Sequence, residues 1–134
     1  LSIACAHILV VEDDLDCREA IAEFLDLQGY TVETVADGLE ALAALEVGPL
    51  PDLVLTDLRM PRMNGQQLVA ALRADPRLAR IPVVVMSGAV EIARPLGAVA
   101  LVHKPFAPDA LLRVVDQAVG AGAMAVAGAG ARRR

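Results

Sequence analysis

The stretch Asp52-Leu-Val-Leu-Thr-Asp57-Leu-Arg-Met-Pro61 decides the fold. Its centre is a short apolar and β-branched run, bounded by acids and followed by a proline that suits neither a strand nor a helix interior. A run of that kind predicts a short strand buried on both faces. Such strands belong to parallel sheets covered by helices. Asp57 then stands at the carboxyl end of the strand.

The same pattern recurs on both sides of this stretch. His7-Ile-Leu-Val-Val11 runs into Glu12-Asp13-Asp14, Ile81-Pro-Val-Val-Val-Met86 into Ser87-Gly88, and Ala98-Val-Ala-Leu-Val102 toward Lys104-Pro105. Tyr30-Thr-Val-Glu-Thr-Val35 alternates instead, as a half-exposed strand at a sheet edge does. Helical patterns lie between the strands. Cys17, Ile21, Phe24 or Leu25, and Gln28 share one face, stopped by Gly29. Leu39, Leu42 and Leu45 recur at helical spacing after Asp37-Gly38, and Gly48-Pro49 ends that helix. A third helix spans Gln66 to Ala74, after Asn64-Gly65 and before Asp75-Pro76. A last one starts at Pro108, with Leu111, Leu112, Val115 and Val119 facing inward. The segment from Ser87 to Gly97 is short and carries Pro95, so a fourth helix there is expected to be short or irregular. The alternating order predicts an α/β fold. It is a flavodoxin-like, doubly wound, five-stranded parallel sheet in the order 2-1-3-4-5, with helices on both faces.

The chain has 134 residues, which suits one domain. With 56% hydrophobic but only 2% aromatic residues, its core must be built from Val, Leu, Ile and Ala. A net charge of -5 argues against direct nucleic-acid binding and against docking on an anionic membrane. No apolar run reaches the roughly 18 residues of a membrane span, and Leu1 to His7 lacks the basic flank of a signal peptide. Cys5 and Cys17 make neither a metal pattern nor a disulfide framework, and read as buried reduced thiols of a cytoplasmic protein. From Gly120 onward Ala and Gly dominate, up to three closing arginines. The sequence therefore divides into a domain over 6–120 and an Ala/Gly-rich tail over 121–134. The tail is expected to be flexible, with an Ala-rich extension of the last helix as the alternative.

In a sheet of this order ligands gather at the carboxyl ends of the strands, where the order reverses. There the sequence puts Glu12, Asp13, Asp57, Ser87 and Lys104. Three adjacent carboxylates repel one another, and a divalent cation is the simple remedy; Mg2+ or Mn2+ suits such hard oxygen ligands. An Asp carboxylate can also attack phosphorus to give an aspartyl phosphate. Lys104 would supply a second cation and Ser87 a hydroxyl donor. Taken singly, each of these residues reads as a turn residue, a cap or a solvated charge; it is their joint placement that points to chemistry. Asp14 reads as the cap of the first helix, and Arg18, Arg73 and Arg113 as exposed helix charges. Asp14-Leu-Asp16 has the spacing of phosphatases with an Asp nucleophile, but it lies past the strand end, at a helix start.

These residues carry a family resemblance over about residues 6 to 120. Ile8-Leu-Val-Val-Glu-Asp-Asp14, Leu55-Thr-Asp-Leu-Arg-Met-Pro61 with Asn64-Gly65, Val85-Met-Ser-Gly88 and His103-Lys-Pro-Phe106 together resemble the receiver domain of two-component response regulators. The resemblance implies that Asp57 accepts a phosphoryl group from a histidine kinase or a histidine phosphotransfer protein. It implies that Asp13 is a direct Mg2+ ligand, that Glu12 acts nearby through water, and that the backbone carbonyl of Arg59, with Asp57, completes the metal shell. Ser87 and Lys104 would bind phosphoryl oxygens, and Lys104-Pro105 would be cis. The product is a cytoplasmic phosphorelay switch rather than an enzyme with steady turnover, acting on a downstream protein, with room for a dimer through the output face. A receiver-like module that works without phosphorylation is the alternative. Two departures concern the output. Leu101 stands where the family often has an aromatic residue, and the Ser87–Lys104 stretch is short. Phosphorylation is therefore expected to order the Ser87–Gly97 loop, drawing the Ser87 hydroxyl inward. Lys104, at a strand end, is expected to be removable at little cost in stability.

Overall fold

Five strands and four helices alternate in the computed structural model, which describes residues 6–88 and 94–132. The strands are β1 (His7–Val11), β2 (Thr31–Val35), β3 (Leu53–Asp57), β4 (Val83–Ser87) and β5 (Ala100–His103). All pair in parallel, in the order β2-β1-β3-β4-β5. The helices are α1 (Leu15–Leu27), α2 (Gly38–Val47), α3 (Gly65–Ala74) and α4 (Pro108–Arg132). The predicted order and the doubly wound topology are therefore present, with element ends shifted by a residue or two.

Side chains alternate across each strand, so two cores form. Leu9, Val11, Val54, Val83 and Val85 face Ala41 and Leu45 of α2 and Leu68, Val69 and Leu72 of α3. Ile8, Val10, Leu55, Val84 and Met86 face Ile21 and Leu25 of α1 and Leu111, Val115 and Val119 of α4. β3 and β4 are buried throughout, whereas the edge strand β2 is mostly exposed, as its alternating sequence implies. β5, the other edge, is only partly buried despite its apolar sequence.

Local chemistry sets the helix ends. Asp14 is the N-cap of α1, its carboxylate accepting the Cys17 N–H at 2.9 Å. Asn64 and Gln67 form a reciprocal capping box at α3. Gly29 takes a positive φ of 100° where the chain leaves α1 for β2.

Some expectations need correction. In α2 the inward face is Gly38, Ala41 and Leu45, while Leu39 is exposed, because docking rotates the helix to bring its small residues against the sheet. Gln28 is exposed and Cys17 is half-buried. α4 runs on through Arg132, so residues 121–132 continue the last helix. The physical reason is cooperativity: Ala-rich sequence adds readily to a helix whose nucleus is already packed. No helix appears among the described residues between β4 and β5. Residues 89–93 of the Ser87–Gly97 loop and Cys5 lie outside the described residues.

Candidate functional site

The carboxyl ends of β1, β3 and β4 bring the predicted residues together. Glu12, Asp13 and Asp57 each offer a carboxylate oxygen, and these lie within 4.8 Å of one another. Glu12 is buried at 1% exposure and Asp57 is buried, whereas Asp13 is exposed. Beside them opens a cleft of about 460 Å³ lined by Asp57, Arg59, Ser87, Gly88 and Lys104. Ser87, buried at the end of β4, accepts the Lys104 N–H on its carbonyl at 2.7 Å, which sets β5's exit beside the cleft. The Lys104-Pro105 peptide is cis, as the resemblance implied.

Lys104 bridges two of the three carboxylates. Its Nζ lies 2.5 Å from Glu12 Oε1 and 3.5 Å from Asp57 Oδ1. Glu12 Oε2 also accepts the Asp14 N–H at 3.2 Å, and Asp57 Oδ1 accepts the Leu58 N–H at 3.0 Å. Burial pushes Asp57 up to about 6, the neighbouring Glu12 charge adds to this, and Lys104 pulls against it. Burial also acts to raise Glu12, but hydrogen bonds from Lys104 and Asp14 outweigh it and hold its carboxyl below the ordinary value. For Lys104, burial acts downward; its bond to Glu12 and the Asp57 charge win and raise it. Cys17 is raised to about 11, first by burial and then by Glu12, so its thiol stays protonated and unreactive at neutral pH.

One ammonium thus pairs with two of three clustered carboxylates. Two unit charges about 4.8 Å apart repel by on the order of 3 kcal/mol at an effective dielectric of roughly 20. The cluster is therefore short of positive charge, and its all-oxygen donor set fits Mg2+ or Mn2+. Asp16 is not part of it: it sits exposed in the first turn of α1, and Asp14 is engaged as the cap, so the Asp-x-Asp spacing forms no site.

Gly65 matters through its neighbours. A Cβ there would lie 2.5 Å from the Asp57 carbonyl and 3.0 Å from Leu58 Cα, so only glycine lets α3 begin this close to the site. The Gly65 N–H closes the β3–α3 loop on the Leu58 carbonyl at 2.8 Å.

Two arginines read as plain surface charges do more. Arg18 donates from Nη1 to the Glu12 carbonyl at 2.9 Å, holding the end of β1. Arg73 donates to the carbonyls of Ala79, Ile81 and Gly97, tying α3 to the chain on both sides of β4. A signal for Arg73 existed: it falls one turn after Val69 and beside Leu72, at the margin of the buried face, where a guanidinium must find acceptors. Arg113 is exposed, as read. Leu101 pairs with Val85 and packs on the α2–α3 side of the sheet.

Comparison with known proteins agrees with this geometry. The response regulator receiver domain matches residues 8–116. The chain is 34% identical over 121 residues to the C4-dicarboxylate transport transcriptional regulatory protein DctD of Rhizobium meliloti, covering 86% of this chain and 25% of that protein. It spans at most 56% of the length of the first four curated relatives it matches. Among solved structures, the chemotaxis response regulator CheY4 of Vibrio cholerae superposes with a TM-score of 0.78 at 29% identity, over 85% of this chain and 98% of that one. The receiver domain of the sensor histidine kinase PA1611 of Pseudomonas aeruginosa, which has a magnesium ion coordinated in its active site cleft, gives 0.79 at 28% identity, over 87% and 98%.

Proposed function

Because this chain belongs to the response regulator receiver domain family, we propose that it is a phosphoacceptor switch with Asp57 as the acceptor. The observation that carries this reading is one arrangement: a buried Asp57 carboxylate on a cleft shared with Ser87 and Lys104, with Glu12 and Asp13 within 4.8 Å. In the proposed step an Asp57 oxygen forms a bond to phosphorus. The bond from phosphorus to the donor histidine nitrogen breaks, and that nitrogen keeps the electron pair. Asp57, raised only to about 6, is largely ionised at neutral pH and so available as the nucleophile. Lys104 and the Ser87 hydroxyl bind the phosphoryl oxygens, and Lys104 offsets their charge.

Glu12, Asp13, Asp57 and the backbone carbonyl of Arg59 are the groups that would hold a divalent cation. When bound, Mg2+ supplies charge neutralisation between the carboxylates and the incoming phosphoryl group. The donor is a histidine kinase or a histidine phosphotransfer protein. The reading carries a cytoplasmic setting with it, and among the described residues no helix is long and apolar enough to cross a membrane. The domain extends over 6–120.

The test is intact-protein mass measurement after incubation with acetyl phosphate. Wild type is expected to gain one phosphoryl group in Mg2+ and none in excess chelator, and Asp57→Ala is expected to gain none. Equal labelling of Asp57→Ala would overturn the acceptor assignment. Unlabelled wild type would favour an interaction module that works without phosphorylation.

A further inference from the structure

The head of α2 holds an ion pair that the proposed switch does not use directly. Asp37 caps α2, its Oδ1 accepting the Glu40 N–H at 2.9 Å, and is only 4% exposed. Its other oxygen accepts Arg62 Nε at 2.8 Å and Nη2 at 2.6 Å. Arg62 lies in the β3–α3 loop, three residues after Arg59 on the cleft wall. The next residue of the loop is docked too: a Cβ on Gly38 would lie 2.6 Å from Met63 Cγ, so Met63 fills the space that this glycine leaves. Two consecutive loop residues thus rest on the cap and first residue of α2.

The loop backbone is strained at this point. Arg62 has a φ of 65°, the left-handed region that residues with a Cβ rarely adopt. Such a conformation persists only where the surroundings over-determine it, and it clusters at places where geometry matters. Here the fork of hydrogen bonds to Asp37 supplies the restraint. At the other end the loop is closed by the Gly65 N–H on the Leu58 carbonyl. Arg59 therefore lies in a loop clamped at its base to the acceptor strand and at its tip to α2.

We infer that Asp37 and Arg62 form a positioning pair, which holds the β3–α3 loop so that the Arg59 carbonyl and the Asp57 carboxylate stay in register for one divalent cation. This rests on the proposed reading of the cation shell. Neither residue touches the reacting atoms. Groups that orient ligands from outside the shell commonly change metal affinity by roughly tenfold or more when removed.

Mg2+ titration followed by the backbone amides in nuclear magnetic resonance tests the pair. Arg62→Gly removes the guanidinium while accepting the positive φ, so relief of strain cannot be mistaken for lost folding. Asp37→Asn keeps the cap and loses the charge. Both are expected to weaken Mg2+ binding about tenfold. Arg62→Lys, which keeps the charge but not the fork, should fall between them and wild type. The double variant should be no weaker than the weaker single one, because both remove one interaction. Arg77→Ala is the control: its guanidinium reaches the Leu45 carbonyl at 2.9 Å near the far end of α2, so its loss loosens α2 without touching the loop. Wild-type affinity in Arg62→Gly and Asp37→Asn would overturn the pair's role, as would an equal loss in Arg77→Ala. Wild type that binds no Mg2+ would overturn the proposed function itself, and this inference with it.

Discussion

Two clusters of charge lie at the same edge of the sheet, and they are built on opposite balances. At Asp37 one carboxylate receives a backbone N–H and the Nε and Nη2 donors of a guanidinium, and its acidity is strengthened: the Glu40 N–H and Arg62 outweigh burial and hold it below the ordinary value. At Asp57 the donors are the Leu58 N–H and a lysine 3.5 Å away that is shared with Glu12, and the carboxyl is raised to about 6. The first cluster is satisfied from within the chain and stabilises the fold. The second is left short of positive charge, which costs stability and fits the cation and phosphoryl group of the proposed function. A difference in donor count thus separates a structural pair from a chemical site.

The largest effect that could break this contrast is at Lys104. Removing it leaves Glu12, at 1% exposure, with a buried charge and no ammonium. Lys104→Ala should therefore lose about 2 kcal/mol of stability in chelator, and saturating Mg2+ should return part of it. Urea denaturation with and without Mg2+ measures both. The expectation that Lys104, being at a strand end, is cheap to remove rests on its position alone and takes no account of its 2.5 Å pairing with buried Glu12. An unchanged denaturation midpoint would show that the cluster is not short of charge.

A smaller effect of opposite sign is expected at Asp57, the proposed acceptor. In chelator, Asp57→Asn keeps the shape and removes one repelling charge, so it should stabilise the protein by about 1 kcal/mol at neutral pH. Loss of stability in this variant would contradict the balance described above.

The smallest effect sharpens the other side of the comparison. The folded-state acidity of Asp37 is depressed, so its pairing stabilises the protein above the unfolded value near 3.8 and that contribution is lost as pH falls through the lower folded value. Asp37→Asn should be less stable than wild type by about 0.5–1 kcal/mol at neutral pH, a modest figure because Arg62 is half exposed. The gap should close below about pH 4. Thermal unfolding from pH 3 to 7 tests the sign, and a gap that widens on acidification would refute it.

Much of this molecule is local in origin and was legible in the chain. Apolar runs ending in polar or charged residues marked four strands, alternation marked the edge strand β2, and Asp14 and Pro108 marked the starts of helices. The acids, the serine and the lysine at strand ends marked the site, because a parallel sheet of this order brings those ends together whatever the loops do. The inward face of α2 was not legible. Leucine spacing pointed to Leu39, whereas the sheet accepts Ala41 and leaves Leu39 outside. Helical spacing defines a stripe, and only the shape of the opposing surface decides which residues of it are covered.

The sequence by itself determined the order of elements, the sheet topology and which residues stand at the carboxyl edge, since periodicity and turn chemistry act over a few residues at a time and the hand of each crossover is fixed by general rule. Tertiary structure alone decided how charge is shared there. Lys104 meets Glu12 across 92 positions, Arg62 reaches back 25 to Asp37, and Arg73 spans 24 to the Gly97 carbonyl. Those partners follow from how helices and loops settle on the sheet, and from the need of every half-buried ionic group to find a donor or acceptor nearby. No rule of spacing along the chain encodes that choice.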